Sequence, residues 1–435
     1  MTINDGPAPR AASVWASTAR AAPPLPRLEG EVKTDVAIIG GGFTGLATAH
    51  HLRKAGIASV VLEANDAGWG ASGRNGGMAV PRYKKGFAAL AAKYGTPATL
   101  RLHALIHEAV DTLEATVREY GIECDFARCG HITAAHSREA LAALEDDVRW
   151  LEREANDTVP QLLDRAAARQ AIGTEAYVGG YLDPRGVGIH PLDYAQGLAA
   201  ALSRTGIPIY VGSPVTKLDA GGHPSIVATP HGRVLARHVV FATNAYSELA
   251  PHLKGLHRRV VPVNTSVVAT APLPPNVAPR VLPSRRLVSD TKHLMNYFRV
   301  LPGDRILFGG RGSILGTQSD SIYRGLKAQL AATYPILGEP EIGQTWSGKV
   351  AVTLDDFPHL GRLDGNLWYA LGYGGRGVAL TNLLGKLLAG LIAGNAIDAG
   401  PMATNRFAPI PFHQFRIPVM QMVAAWYKLR DRLAK

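Results

Sequence analysis

Residues 35–63 read DVAIIGGGFTGLATAHHLRKAGIASVVLE. The apolar run from Asp35 ends in glycines and predicts a short buried strand. The next segment, FTGLATAHHLRKAG, sets Leu46, Ala49, His50, Leu52 and Arg53 at helical spacing, with Gly56 as a stop. ASVVLEAN then reads as a second buried strand, so the stretch is a βαβ unit. Gly40, Gly42 and Gly45 stand where strand becomes helix. Glycine there permits a tight turn, close backbone approach to a pyrophosphate at the helix N-terminus, and close packing of helix on strand. Phe43 and Thr44 belong to the same turn. Glu63, 18 residues after Gly45 and followed by Ala64, stands where a carboxylate would bond adenosine ribose hydroxyls. The acid argues against a 2′-phosphate; it leaves NAD and FAD undecided.

A second glycine-rich stretch follows at once: GWGASGRNGG, Gly68 to Gly77, with five glycines in ten residues. An NAD site gives no reason for another such loop directly after the second strand. A longer FAD molecule lying across the sheet does, because its pyrophosphate and ring system need a backbone they can approach. The expected cofactor is therefore FAD.

The chain of 435 residues is 46% hydrophobic and 19% charged, which is globular rather than disordered and long enough for two or three domains. The net charge of +11 suits nucleic acid, an anionic membrane surface or anionic small molecules, and does not choose among them. Cys124 and Cys129 are the only cysteines, too few for a disulfide framework or a thiolate zinc site, and fit a reducing, cytoplasmic setting. The first 33 residues lack an apolar leader segment, and no later run reaches the length of a spanning helix. Among fifteen histidines there is no H-E-x-x-H or comparable metal spacing, so no metal is expected.

Further along, residues 1–33 read as an extended arm. Helical patterns run from about Pro97 to Tyr120, from Arg138 to Asn156, from Gly197 to Thr205 and near Ile322 to Tyr334. IPIYVGSPVTKLDA, PSIVATPHGRVLA and HVVFATNAY read as three strands, and LWYALGYGGRGVALTNLLGKLLAGLIAG as strand, glycine loop and helix. The α/β parts are interrupted, which predicts a nucleotide-binding domain with a second domain inserted. The expected division is 34–98, 187–250 and 345–405 for the FAD-binding domain, 99–186 and 251–344 for the substrate domain, and 406–435 for a C-terminal amphipathic helix.

The segments DVAIIGGGFTGLATAHHLRKAG, VLEAN and GWGASGRNGG together resemble the D-amino-acid oxidase and sarcosine oxidase family of FAD enzymes, nearest its gamma-glutamylputrescine oxidase branch. SVWASTA, DTKHLMNYFRVLPGDRILFGG, WSGKVAVTLDDFPHLGRL and LGYGGRGVALTNLLGKLLA extend the resemblance along most of the chain. It implies a discontinuous Rossmann-like FAD domain of glutathione-reductase type, α/β, with an inserted β-sheet substrate domain of α+β character. It also implies roles. Gly40, Gly42 and Gly45 would hold the pyrophosphate and Glu63 the ribose. Gly70, Ala71, Ser72, Arg74, Asn75, Gly76 and Gly77 would line pyrophosphate and flavin. Val215 would contact adenine through its backbone, and Thr243 and Asn244 would close over the cofactor. Gly374, Gly375, Arg376, Gly377 and Val378 would present N–H groups to the flavin N1 and C2 carbonyl, where negative charge develops.

The activity implied is oxidation of a secondary amine or amino acid, gamma-glutamylputrescine-like or a cyclic imino acid. A hydride leaves the carbon beside the nitrogen for flavin N5, the imine hydrolyses, and oxygen is reduced to peroxide. Covalent relatives carry flavin on a cysteine or histidine in segments that here read TWSGKVAV and GRNGG, so non-covalent FAD is expected. Leu307 stands where sarcosine oxidases place a lysine over N5, which keeps a quinone acceptor open. Tyr297 and Arg299 alternate along a strand and form a candidate carboxylate-binding pair; His359 and Arg82 are further site candidates. Ten Lys or Arg lie between Lys254 and Arg311 against Asp290 and Asp304, a field that would draw an anionic substrate or simply face solvent. At the C-terminus Val419, Met422, Val423, Trp426, Leu429 and Leu433 share a helical face, with Lys428, Arg430, Arg432 and Lys435 near the end. This suits a helix docked on its own protein, the reading preferred because one helix anchors weakly, or a peripheral contact with the inner face of a membrane. Rival functions are a flavin domain acting on modified tRNA, against which stands the lack of an RNA module, and a non-catalytic nucleotide-binding scaffold.

Overall fold

A computed structural model describes residues 8–249, 255–312, 320–403 and 407–433. The strand Gly30–Ile39 lies between Ser59–Leu62 and Gly232–Phe241, parallel to both, and Ile209–Tyr210 extends the row beyond Ser59–Leu62. Val36 to Ile39 and Ser59 to Leu62 are buried throughout. A parallel strand covered on both faces needs apolar side chains in both directions, hence the unbroken apolar runs in the sequence. The helix Phe43–Lys54 makes the crossover between them, and Gly377–Ile392 packs against it. Their contact is close at Gly385, where a Cβ would stand 2.6 Å from the Ala47 Cβ and 2.8 Å from the Thr48 nitrogen. Leu367–Leu371 runs parallel to the C-terminal half of Gly232–Phe241 and pairs with His359–Asp364; Ser225–Ala228 pairs antiparallel with the N-terminal half of Gly232–Phe241, and Lys217–Asp219 pairs with Ser225–Ala228.

The second sheet has eight strands in the order Ile342–Val352, Val261–Thr270, Arg305–Arg311, Tyr297–Leu301, Leu287–Asp290, His131–Ala135, Gly179–Asp183 and Gln161–Leu163. One face packs on the helix Asp320–Thr333 around Phe298, Phe308, Leu326, Leu330 and Tyr334. A three-stranded ribbon, Met78–Ala79, Val187–Gly188 and Ala127–Arg128, continues the chain out of the second glycine stretch. The fold is thus a Rossmann-like domain of discontinuous sequence with an inserted sheet domain.

Several expectations are corrected in detail. The boundary at residue 345 falls inside the strand Ile342–Val352, which pairs with Val261–Thr270 and so belongs to the second sheet. The boundary at 99 falls inside the helix Thr96–Tyr120. This helix buries Leu102, Leu105, Ile106 and Leu113 in the same cluster as Leu380, Leu383, Leu384 and Leu387 of the cofactor layer. The second and third predicted strands divide differently, because Gly232–Phe241 is one strand held in register by Gly30–Ile39. The helix expected from Gly197 begins at Pro191, where the His190 Nδ1 accepts the Asp193 N–H at 3.1 Å. The arm is not wholly extended: Ser13 caps a short helix, Val14–Thr18, that buries Val14 and Trp15.

The C-terminal helix Arg416–Leu433 docks by another face than expected. Asp431 accepts the His293 and Leu294 N–H groups at 2.9 and 3.0 Å, and Tyr427 packs on the His293 ring. Met420, Val423, Ala424 and Tyr427 are half-buried on that side, whereas Val419, Met422, Trp426 and Leu429 are 47%, 66%, 58% and 48% exposed. The side chains of Leu433 and Arg432, like Lys435 and Lys254, lie outside the described residues.

Candidate cofactor and substrate site

The two glycine stretches meet. Gly42 caps the helix Phe43–Lys54 and brings no side-chain acceptor of its own, so first-turn N–H groups beyond that of Phe43 are left for a ligand. A Cβ at Gly45 would stand 1.9 Å from the Gly40 oxygen, and one at Gly42 would stand 2.8 Å from the Ser72 Oγ. Ser72 accepts the Phe43 N–H at 2.9 Å, and Thr44 shares a hydrogen bond with the Tyr373 hydroxyl at 2.8 Å. Glu63 accepts the Gly41 N–H at 2.7 Å and the Asn65 N–H at 2.9 Å on different oxygens. Burial pushes its carboxyl pKa up, against the pull of those N–H groups. An ionised carboxylate is an acceptor, the type of group that a ribose diol requires. Ala64 adjoins it and is exposed. Ser213, whose N–H donates to the Glu63 carbonyl at 2.8 Å, sets Val215 at the same end of the site. At the other end of the turn, a Gly40 Cβ would meet the Ala242 oxygen at 2.9 Å, just before Thr243 and Asn244. Thr243 pairs with Ser247, and the Asn244 amide oxygen accepts the Gly372 N–H at 3.0 Å.

The loop Gly68–Gly77 is clamped from three sides. Trp346, from the second sheet, donates to the Arg74 carbonyl at 2.9 Å, and Trp15, from the arm, donates to the Asn75 carbonyl at 2.8 Å. Arg299 donates through one nitrogen to the carbonyls of Gly77 and Ile189, at 2.7 and 3.0 Å. The Arg74 guanidinium stacks on Trp69, 4.2 Å from the ring centre. Asn75 spends its amide on the loop itself, donating to Ala71 and Ser72 carbonyls and accepting from Gly77. A Cβ at Gly76 would meet the Tyr297 ring at 2.9 Å, and one at Gly70 would meet Tyr246 at 3.1 Å. Little side chain is present because Tyr297 and Arg299 of the second sheet, Leu192 and Ala195 of the helix Pro191–Arg204, and Tyr246 occupy the space.

Tyr297 and Arg299 therefore share the inward face of their strand, as alternation allowed. Arg299 is engaged with backbone carbonyls rather than presented to a carboxylate, and its Nε has no partner among the described residues. Burial lowers its pKa. Burial also pushes the Tyr297 phenol up to about 12, so it remains a donor at neutral pH. Leu307 is fully buried beside Trp346 and Trp15.

The loop after Leu367–Leu371 turns through Gly374 and Gly375, at φ 57° and 92°, into the helix Gly377–Ile392. Arg376 is its N-cap and offers no side-chain acceptor, so a second helix N-terminus is left uncapped beside Val378. The Arg376 guanidinium has no acidic partner among the described residues and points one nitrogen at the Met295 sulfur, at 4.0 Å. Burial, then the nearby Arg82, lowers its pKa to about 10, which leaves it charged at neutral pH. Arg82 is buried and paired with Asp147 at 2.5 Å, over the Tyr181 ring, with its other Nη lacking a partner. His359 is buried, set 3.1 Å from Asp355 and stacked on Phe407. After the cost of its own burial, the His359 bond holds the Asp355 carboxyl down at about 2. An open cleft of about 890 Å³, lined by Arg169, Arg280 and Pro335 among others, shares no residue with these loops.

One cluster departs from the expectation of no metal spacing. His103 and His107 stand four residues apart on a helix and meet Asp157. The spacing is legible in the sequence, but the third ligand comes from a distant turn. Arg376 is expected from the sequence for its backbone N–H and not for its unbalanced guanidinium, and nothing local in the sequence marks Trp15 and Trp346 as clamps.

The two uncapped helix N-termini, the poised Glu63 and the side-chain-poor loop between them fit a long dinucleotide with a ring system at its far end. Comparison agrees. A profile of FAD-dependent oxidoreductases matches residues 35–391. Over 425 residues, 97% of this chain and 98% of the relative, the sequence is 36% identical to gamma-glutamylputrescine oxidoreductase of Escherichia coli K12. Glycine oxidase of Geobacillus kaustophilus is 26% identical over 86% of this chain and 97% of its own. The solved glycine oxidase structure from that organism superposes with a TM-score of 0.73 at 24% identity, covering 86% of this chain and 99% of that one. L-proline dehydrogenase from P. horikoshii superposes at 0.71 with 21% identity, covering 87% and 96%. With the profile spanning the glycine loops at 40–45, 68–77 and 374–377 and the sheet domain between the last two, the chain belongs to the FAD-dependent oxidoreductase family.

Proposed function

We propose that the protein oxidises a secondary amine or amino acid that carries a carboxylate, with gamma-glutamylputrescine-like compounds and cyclic imino acids as the substrate class. The observation that carries this reading is Arg376. A cation with no acidic partner among the described residues, set at a helix N-terminus beside the flavin-facing loops, is matched by an anionic substrate group or by charge developing on the reduced ring. When bound, FAD supplies the hydride acceptor for the carbon beside the amine nitrogen. The chain binds and orients. Gly40, Gly42, Phe43, Thr44 and Gly45 hold the pyrophosphate, Glu63, Ala64 and Val215 the adenosine, and Thr243 and Asn244 close over the turn. Gly70 to Gly77 shape the flavin bed, and Gly374 to Val378 place N–H donors at the ring. Tyr297 presents a protonated phenol over Gly76; Arg82 and Arg376 set the local positive field; His359 stands oriented by Asp355. Arg299 holds the flavin bed through the Gly77 carbonyl instead of binding the substrate directly.

The cofactor is taken to be non-covalent and the acceptor oxygen, with a quinone as the alternative that Leu307 suggests. The exposed apolar face of the C-terminal helix, with Lys428 and Arg430 alongside, supports a peripheral contact with an anionic membrane; among the described residues no helix is long and apolar enough to cross one. The deciding experiment is anaerobic mixing of purified protein with amines and amino acids. Bleaching of the flavin by carboxylate-bearing secondary amines, then recovery with oxygen or a quinone, is expected. Acid precipitation should leave the flavin in the supernatant. Protein without a flavin spectrum, or bleached only by amines lacking a carboxylate, would overturn the reading.

A further inference from the structure

His103 and His107 lie on one face of the helix Thr96–Tyr120, and Asp157 lies in the turn that follows Arg138–Glu154. The His103 Nε2 is 2.8 Å from the Asp157 Oδ2 and 3.2 Å from the His107 Nε2, which is itself 3.8 Å from that oxygen. Hydrogen bonds alone satisfy this triangle only through one N–H shared between two acceptors. An imidazole nitrogen has one in-plane direction, carrying either a proton or a lone pair. If the His103 nitrogen donates to Asp157, the lone pair or proton of His107 faces a nitrogen already committed.

A cation resolves the conflict, since all three groups then point lone pairs at one place. Atoms at these separations have a common point about 2 Å from each, the length of a zinc–imidazole or zinc–carboxylate bond. The outer contacts are those that orient metal ligands. Asp157 accepts from Arg185 at 2.8 Å and, on its other oxygen, from the Val159 N–H at 3.2 Å. The charge of Arg185 is balanced by a two-point pair with Asp183, at 2.9 and 2.8 Å. His103 is wedged edge-on against Phe87. The two imidazoles are 16% and 19% exposed, so a cation can enter and water can complete its shell.

We propose that His103, His107 and Asp157 form a binding site for a divalent transition cation of the zinc type. The cation would tie the helix to the turn, apart from the cofactor loops and independently of the amine chemistry.

Zinc titration by calorimetry into tag-free, chelator-treated holoenzyme tests this. One zinc per chain is expected, with a rise in melting temperature. The variants His107→Gln and, separately, Asp157→Asn should weaken that binding at least tenfold while the flavin spectrum stays unchanged. Because Asp157 also anchors its turn, the partly exposed His107 keeps the test sound if the Asp157 variant folds poorly. No zinc binding, or binding that His107→Gln leaves intact, would overturn the proposal.

Discussion

Arg376, half-buried, and Arg299, buried, both lack a carboxylate partner among the described residues, yet they do different work. Arg299 has two backbone carbonyls to receive its protons. Arg376 has a sulfur atom and an arginine neighbour. A charge-assisted hydrogen bond is worth about 1.5–3 kcal/mol, roughly ten- to a hundredfold in binding. Arg376→Gln should therefore raise KM for carboxylate-bearing substrates by about that factor and leave amines without a carboxylate little affected; steady-state kinetics on matched pairs would show it. Arg299→Gln should instead loosen the cofactor, since it strands the Gly77 and Ile189 carbonyls. Dialysis followed by flavin fluorescence would separate the two effects.

At the scale of the element, the loop Gly68–Gly77 is held less by its own conformation than by what presses on it. Gly77 has φ 65°, and a Cβ there would stand 2.2 Å from the Ile189 oxygen. Gly77→Ala should destabilise the protein by about 2 kcal/mol or more, from backbone strain together with a clash, and release flavin. Trp15→Phe keeps the packing and removes one hydrogen bond, so a loss of about 1 kcal/mol is expected by thermal unfolding of the holoenzyme. A Trp15→Phe variant that sheds flavin as readily as Gly77→Ala would make the arm part of the cofactor bed and not merely a clamp outside it.

For the whole molecule, most of the large apolar side chains left in solvent gather from Phe412 to Leu429. The C-terminal helix reaches the body by its polar anchor, Asp431 on the His293–Leu294 backbone, and leaves its richer apolar face outward. That loop leads directly to Met295, against Arg376, so the helix is linked to the Arg376 loop. Holoenzyme should co-sediment with vesicles containing anionic phosphatidylglycerol, more weakly at high salt, and Met422→Gln with Trp426→Gln should abolish this without altering flavin content. If the protein stays in solution and the variant converts a dimer to a monomer, the face joins two copies of the chain instead.

The βαβ unit from Asp35 to Glu63, the dinucleotide turn and the interrupted α/β plan were legible in the chain, because apolar period and glycine position are local consequences of strand, turn and helix geometry. Residues 68–77 announced an unusual loop in the same way. What pressed against that loop was not legible. The partners Trp15, Trp346 and Arg299 lie 60 to 272 residues away from the atoms they bond, and no local pattern encodes such meetings. The inward face of Tyr297–Leu301, the sheet that claims Ile342–Val352 and the outward face of the C-terminal helix were decided by which surfaces the tertiary structure brought together. Periodicity names the faces of an element; only packing selects the one that is covered.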